Sequence, residues 1–257
     1  VAVGELSDYS DRERAFLSEK DFREGVRLAW CAAVERDGTV HLTETKAGQI
    51  RIAGDMPVFA LHPVFSAYGF VLDIGTTTLA ARLYDVRGTL LAQSSQLNPQ
   101  AGWGADVISR IEAAMKGEDQ AIAAAICEAV DALLTELSQK AGISPREIDG
   151  VTITGNTVML HLLTGTSVEP LSHAPFAAER LFGEDVSAES LHLASLLPDT
   201  AVYLAPCAAA FVGADLMTAL LAGGICEKSD TQLLSEIGTN GEIALRHDAQ
   251  LFCCSTA

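Results

Sequence analysis

Two short segments carry residue types that handle an anion. Residues 71–78 read V-L-D-I-G-T-T-T and residues 234–242 read L-S-E-I-G-T-N-G-E. Each is an apolar run that passes a carboxylate, turns at a glycine and continues into small hydroxyl or amide side chains. A glycine turn lets backbone N–H groups approach an anion closely, and Thr or Asn adds donors. The first turn offers Gly75, Thr76, Thr77 and Thr78; the second offers Gly238, Thr239, Asn240 and Gly241. Two such turns facing each other would grip a nucleotide phosphate chain from both sides. Asp73 and Glu236, each two residues before its glycine, are oxygen ligands of the kind Mg²⁺ prefers.

Other positions extend this chemistry. Gly155 and Asn156 end a strand and open a helix, where free N–H groups meet an anion, or where Asn156 simply caps the helix. Asp215 stands on the first turns of a helix. There it reaches Mg²⁺ or orients an attacking water, as the general-base candidate, or merely complements the helix dipole. Asp106 precedes Arg110 by four residues, the spacing of an exposed helical ion pair. Asn98 and Gln100 read as polar turn residues. His161 reads as a packed histidine, and His41, His62, His173, His192 and His247 are isolated, without metal-ligand spacing.

These groups must be positioned by a folded scaffold. An apolar content of 49% against 20% charged residues places the 257-residue chain among globular proteins, with ample core. The net charge of −17 argues against nucleic acid and anionic membranes as partners. No apolar stretch is long enough to span a membrane, and no basic start leads into a signal-like run. Val1 implies processing or a fragment. The six cysteines form no C-x-x-C pair, and Cys127, Cys207 and Cys226 read as core thiols. Cys253 and Cys254 would point to opposite faces of a strand.

The pattern predicts an exposed helix over Asp8–Lys20, a strand at Val40–Leu42 and a weakly alternating stretch at Ile50–Ser66. Strands follow at Gly69–Ile74, Leu79–Val86 and Thr89–Ser94, then helices at 104–115 and 119–140. Gly150–Ile153 is a strand and Thr157–Leu163 a helix; 165–200 reads as irregular. Val202–Leu204 is a strand, Phe211–Leu221 a helix, Gln232–Ile237 a strand, and Glu242–Arg246 with Gln250–Cys253 a hairpin. Ile74-Gly75-Thr76 matches Ile237-Gly238-Thr239 at an offset of 163, within similar strand–turn–strand surroundings. Duplication would give two similar lobes with a cleft between their turns.

This arrangement resembles the fold shared by sugar and acetate kinases, actin and the heat-shock chaperone ATPases. The motifs D-I-G-T-T-T-L-A, L-N-P-Q with G-A-D-V-I-S-R-I, T-G-N-T-V-M-L-H-L-L, A-P-F, F-V-G-A-D and I-G-T-N-G-E-I narrow it. Together, across 70–256, they resemble the RamA-like reductive activators of corrinoid proteins. The resemblance implies an α/β fold of duplicated actin-like (ribonuclease H-like) ATPase lobes, the second incomplete. It implies a remnant of a [2Fe–2S] domain plus linker at 1–67, a first ATPase lobe at 68–205, and the start of a second, truncated lobe at 206–257.

The implied activity is ATP-dependent return of corrinoid cobalt from Co(II) to Co(I) for methyl transfer. ATP and Mg²⁺ are the implied cofactors, with Asp73 and Asp215 catalytic, Asp73 and Glu236 on the metal, and Asp106 facing the cleft. The implied partners are a corrinoid protein or methyltransferase corrinoid subunit, a ferredoxin donor and a second copy in a homodimer, in the cytoplasm. Relatives carry Asp where Glu236 stands, and Glu reaches one methylene further. Relatives also hold a [2Fe–2S] cluster, but G-V-R-L-A-W-C at 25–31 has Trp30 at the fourth ligand position, Cys31 one place late, and no upstream cysteines. A cluster needs four ligands. The relatives continue past the position of Ala257 into a lobe bearing much of the adenosine site, so this chain is expected to be truncated at both ends. Two alternatives remain: a small-molecule kinase of the same fold, which would turn over ATP with a cleft-bound substrate alone, and a non-catalytic scaffold with a decayed cleft.

Overall fold

A computed structural model describes residues 2–28, 31–40, 63–227 and 230–256. Trp30, His41, His62 and most of the predicted 50–66 stretch fall outside those residues. The chain divides into two compact units, Val1–Gln49 and Ile50–Ala257. In the first, β1 (Ala2–Leu6) pairs antiparallel with β2 (Val34–Val40), and α1 (Asp11–Phe16) and α2 (Glu19–Arg23) lie between them in sequence. The single helix expected over Asp8–Lys20 is thus two. Ser10 and Ser18 each start a capping box, with Glu13 and Asp21, and Leu17 between them is extended. Nor is that stretch wholly exposed. Glu13 is buried and accepts from Arg27 Nε at 2.8 Å, which holds its carboxyl well below the usual range. The strand expected at Val40–Leu42 overlaps β2 only at Val40, and residues 41–42 are outside those described.

The second unit is built on a six-stranded mixed sheet. β3 (Tyr68–Ile74), β4 (Thr78–Asp85) and β5 (Leu90–Leu97) form an antiparallel meander. The chain then runs through α3 (Val107–Ala113) and α4 (Asp119–Ala141) and returns as β6 (Ile148–Gly155), parallel to β3. After α5 (Thr157–Thr164) come β7 (Glu184–Ser187) and β8 (Ala201–Leu204), giving the order β5-β4-β3-β6-β8-β7. β7 sits in the 165–200 region expected to be irregular. It is a four-residue edge strand without an apolar alternation, held by its backbone pairing to β8. That region also buries Leu171, Leu191, Leu193 and Leu196.

Strand alternation divides the sheet into two faces. Phe70, Leu72, Ile74, Val151 and Ile153 are buried in one core with Ile122, Ile126, Val130, Leu133, Leu134 and Leu137 of α4, the stripe expected from the sequence. The opposite side chains, Asp73, Thr152 and Thr154, share their face with α6 (Ala214–Ala222), where the Thr154 and Thr218 hydroxyls hydrogen-bond at 3.2 Å. α6 begins three residues later than expected, because Gly213 is its N-cap. α6 packs Leu216 and Leu220 against Leu234, Ala244 and Cys253 of a second antiparallel sheet. Its strands are β9 (Gln232–Ile237), β10 (Gly241–His247) and β11 (Gln250–Thr256). Of the three expected core thiols, Cys127 and Cys207 are buried, but Cys226 is exposed. It lies in a single 3-10 turn whose inward residue is Ile225.

Candidate functional site

The first glycine turn joins β3 to β4, and the second joins β9 to β10. They meet across a cleft, where the Thr77 and Thr239 hydroxyls share a hydrogen bond of 2.7 Å. The cleft is lined by Asp73, Gly75, Thr76, Thr77, Thr78, Asn156, Asp215, Glu236, Gly238, Thr239, Asn240 and Glu242. Its volume is about 200 Å³, below the roughly 300–1,000 Å³ of sites that enclose a whole small ligand. That size suits a phosphate chain with its metal better than an entire nucleotide.

Local chemistry explains each position. Asp73 ends β3 on the α6 side of the sheet, and Asp215 lies in the first turn of α6, so the two carboxylates face the same space. Asn156 caps α5, its Oδ1 accepting from Met159 N at 3.0 Å, while its Nδ2 donates to Thr76 Oγ1 at 3.1 Å. Asn156 is thus a helix cap that also lines the cleft. α5 and α6 start side by side because Gly213 lacks a side chain; a Cβ there would come within 2.5 Å of Asn156 Cα.

Four carboxylates converge here, and one of them, Glu242, is not among the candidates that the sequence motifs mark. It follows Gly241 at the start of β10, and its side chain shares a face with Ala244. Only the pairing of β10 shows that this face is the inner one. Glu242 is 4% exposed, and its Oε2 has no hydrogen-bond partner among the described residues. Desolvation by the cleft walls, then the charges of Asp215 and Glu236, pushes Asp73 up to about 7. Burial and the same two neighbours push Glu242 up to about 7. Asp215 is raised by burial, against the pull of the Leu216 N–H it accepts from at 2.9 Å; Glu236 is raised by burial and Asp215. Among the described residues, no Lys or Arg forms an ion pair with any of the four.

Three expected site residues stand elsewhere. Asp106 does not line the cleft: it caps α3, its carboxylate accepting from Ser109 N and Oγ at 2.8 Å. Arg110 is not its exposed partner either; the side chain is 0% exposed and points inward, beneath the first turn. Gly155 serves packing. Its φ is +156°, and a Cβ would sit 2.6 Å from the Ile74 carbonyl oxygen. Gly241 starts β10, paired with Ile237 and Thr256, and does not line the cleft. Asn98 and Gln100, read as turn residues, are nearly fully buried behind that turn. His161 is packed as expected, its Nδ1 2.8 Å from the Thr157 carbonyl and its pKa lowered by burial.

The donor set fits a divalent cation. Carboxylates with raised proton affinity and no cationic partner among the described residues, one with an orphaned buried oxygen, favour a positive charge between them. No group of three or more His, Cys, Asp or Glu side chains among the described residues closes a metal cage. A [2Fe–2S] cluster does not fit: Cys31 is the only cysteine in the first unit, and no cluster of ligands surrounds it among the described residues. Among those residues no helix is long and apolar enough to cross a membrane.

Comparison with known proteins places the chain in a family. The family model described as the RACo middle region matches residues 68–228, from the start of β3 to just beyond α6. The corrinoid activation enzyme RamQ of Eubacterium limosum is 36% identical over 195 residues, covering 74% of this chain and 32% of RamQ. The structure of a reductive activator for corrinoid, iron–sulfur protein superposes with a TM-score of 0.71 and 29% identity, over 76% of this chain and 31% of that one. The chain thus spans about a third of the length of these two relatives. With the family's middle region filling most of its second unit, the chain belongs to the RACo family of corrinoid-activation proteins.

Proposed function

We propose that the cleft binds the phosphates of Mg·ATP, and that the protein uses this binding to drive reductive activation of a corrinoid protein. The observation that carries the reading is the meeting of two glycine turns over four unpaired carboxylates, joined by the 2.7 Å Thr77–Thr239 bond. Thr76, Thr77, Thr239 and Asn240 would donate to phosphate oxygens. Asp73 and Glu236, with Glu242, would hold Mg²⁺ through water and phosphate oxygens, and the ion would screen the phosphate charge when bound. Asp215 would orient a water and take its proton, a role favoured by burial raising its proton affinity.

In this reading one electron from a low-potential iron–sulfur donor such as a ferredoxin reduces Co(II) to Co(I) in a partner's corrinoid. Nucleotide binding or hydrolysis supplies the driving force. The 68–205 segment would be a first actin-like ATPase lobe, and 206–257 the start of its duplicate. The shared strand–turn–strand–turn–strand order of β3–β5 and β9–β11 supports that division. Residues 1–67 would be the remnant of a [2Fe–2S] domain with its linker. A cytoplasmic homodimer is the expected form.

The test is calorimetric titration with Mg·ATP, with ATP in EDTA, and with Mg²⁺ alone. The corrinoid spectrum is then followed in the presence of a client and a low-potential reductant. The reading expects metal-dependent ATP binding and ATP-dependent appearance of Co(I), both lost in the Thr77→Val/Thr239→Val double variant. Co(I) formation that is indifferent to ATP would overturn it.

A further inference from the structure

The first turn holds its donors outward because its carbonyls are tied inward. Asn98 Nδ2 donates to the Gly75 carbonyl at 2.8 Å. Arg110 Nη2 donates to the Thr76 carbonyl at 2.6 Å. The backbone N–H of Asn98 donates to the Thr77 carbonyl at 2.9 Å. In a trans peptide the N–H points opposite to the C=O. Anchoring the Gly75 and Thr76 carbonyls therefore aims the N–H groups of Thr76 and Thr77 away from the core and toward the cleft. Among the described residues neither of these N–H groups meets a protein acceptor.

Arg110 is an unusual anchor. It is completely buried, yet among the described residues no carboxylate forms an ion pair with it. Its remaining contacts are neutral: Gly104 O at 3.0 Å, Gln100 Oε1 at 3.5 Å and Met159 Sδ at 3.2 Å. The charge of Asp106 acts on it only from beyond ion-pair distance, so the buried guanidinium is incompletely compensated, which is costly. Here it stands one peptide behind a turn in a chain of net charge −17, opposite a carboxylate-lined cleft. A charge-assisted bond to the Thr76 carbonyl also polarises the Thr76–Thr77 peptide, which makes its N–H a stronger donor.

We propose that Asn98 and Arg110 are positioning residues for polyphosphate: they set the first turn as an anion-binding nest, and Arg110 adds the fixed positive charge that lets an anion enter an acidic cleft. The inference rests on the nucleotide reading above and deepens it by assigning the recognition of phosphate to residues that touch no ligand. The geometry predicts that Arg110→Met weakens Mg·tripolyphosphate and Mg·ATP binding by about 10- to 100-fold. Arg110→Lys, which keeps the charge but reaches fewer acceptors, restores part of that loss. Asn98→Ser weakens both probes in the same direction.

The experiment is calorimetry of the whole protein and these variants with Mg·tripolyphosphate and with Mg·ATP. Circular dichroism verifies folding, and amide hydrogen exchange is followed at Thr76 and Thr77 in the wild type. The expected result is fast exchange at both amides without ligand, protection with Mg·tripolyphosphate, and graded affinity from wild type through Lys to Met. Folded Arg110→Met that binds tripolyphosphate as the wild type does overturns the inference and leaves the nucleotide reading standing. Failure of the wild type to bind either probe removes both. Should Arg110→Met not fold, the wild-type exchange decides: Thr76 and Thr77 amides that stay unprotected when tripolyphosphate is bound overturn the inference.

Discussion

Glu242→Gln is the sharpest test of the electrostatics at the cleft. Glu242 is 4% exposed and has an oxygen without a partner, and burial beside Asp215 and Glu236 raises its pKa from 4.5 to about 7. A raised acid binds its proton more tightly in the folded than in the unfolded protein. Stability from this group is therefore full below about pH 4.5 and is lost as pH rises through 7. The full shift corresponds to roughly 3 kcal/mol. Water in the open cleft and sharing of the repulsion among four carboxylates reduce that to about 2 kcal/mol at pH 8. Gln has the same shape and cannot ionise. Without metal, Glu242→Gln should melt about 4–8 °C above the wild type at pH 8, with little difference at pH 4.5. Added Mg²⁺ should stabilise the wild type at pH 8 and narrow the gap. The assay is a thermal melt in EDTA and in Mg²⁺ across pH 4.5–8. A Gln variant no more stable than wild type at pH 8, or equally shifted at both pH values, would refute the reasoning.

Asp73, pushed up to about 7, must lose its proton to serve a cation, so Mg²⁺ affinity by calorimetry should rise steeply from pH 6 to 8; Asp73→Asn should make that rise shallower, leaving the part that Glu242, raised to the same range, supplies. Asp215→Asn should retain Mg·ATP binding within a few-fold while lowering single-turnover hydrolysis by about 100-fold or more; equal turnover would remove its proposed role. Gly155→Ala must place a methyl against the Ile74 carbonyl at a φ of +156°, and should cost about 2 kcal/mol or more in denaturant unfolding. Leu134→Ala in the fully buried stripe of α4 should cost about 2–5 kcal/mol by the same measurement.

Chemistry that is local in the chain is legible from the residues themselves. A glycine between an apolar strand and hydroxyl residues makes a turn wherever it lies, so both glycine turns, Asp73, Glu236 and Asn156 can be read from 71–78, 234–242 and 154–157. The α4 stripe follows from its own 3.6-residue period, and the helix that carries Asp215 from its apolar run. The motif order across 70–256 likewise carries the family resemblance.

What the residues do next to distant segments emerges only in three dimensions. Asp106 and Arg110 have the spacing of an exposed pair, but local hydrogen bonds to Ser109 satisfy the carboxylate, and the guanidinium tucks beneath a turn 34 residues away in the chain. Asn98 and Gln100 read as polar turn residues, structural in part, and only the packed fold shows that they hold the Gly75 carbonyl and a carbonyl of α4. Glu242 looks like one more polar strand residue until β10 pairs with β9 and lays that face against the cleft. Burial is a property of neighbours, and the free energy of a charged side chain depends on burial far more than on its own identity. The two turns and the strands that carry them are therefore written in the order of residues along the chain. Which charges lack partners is set by how those segments pack.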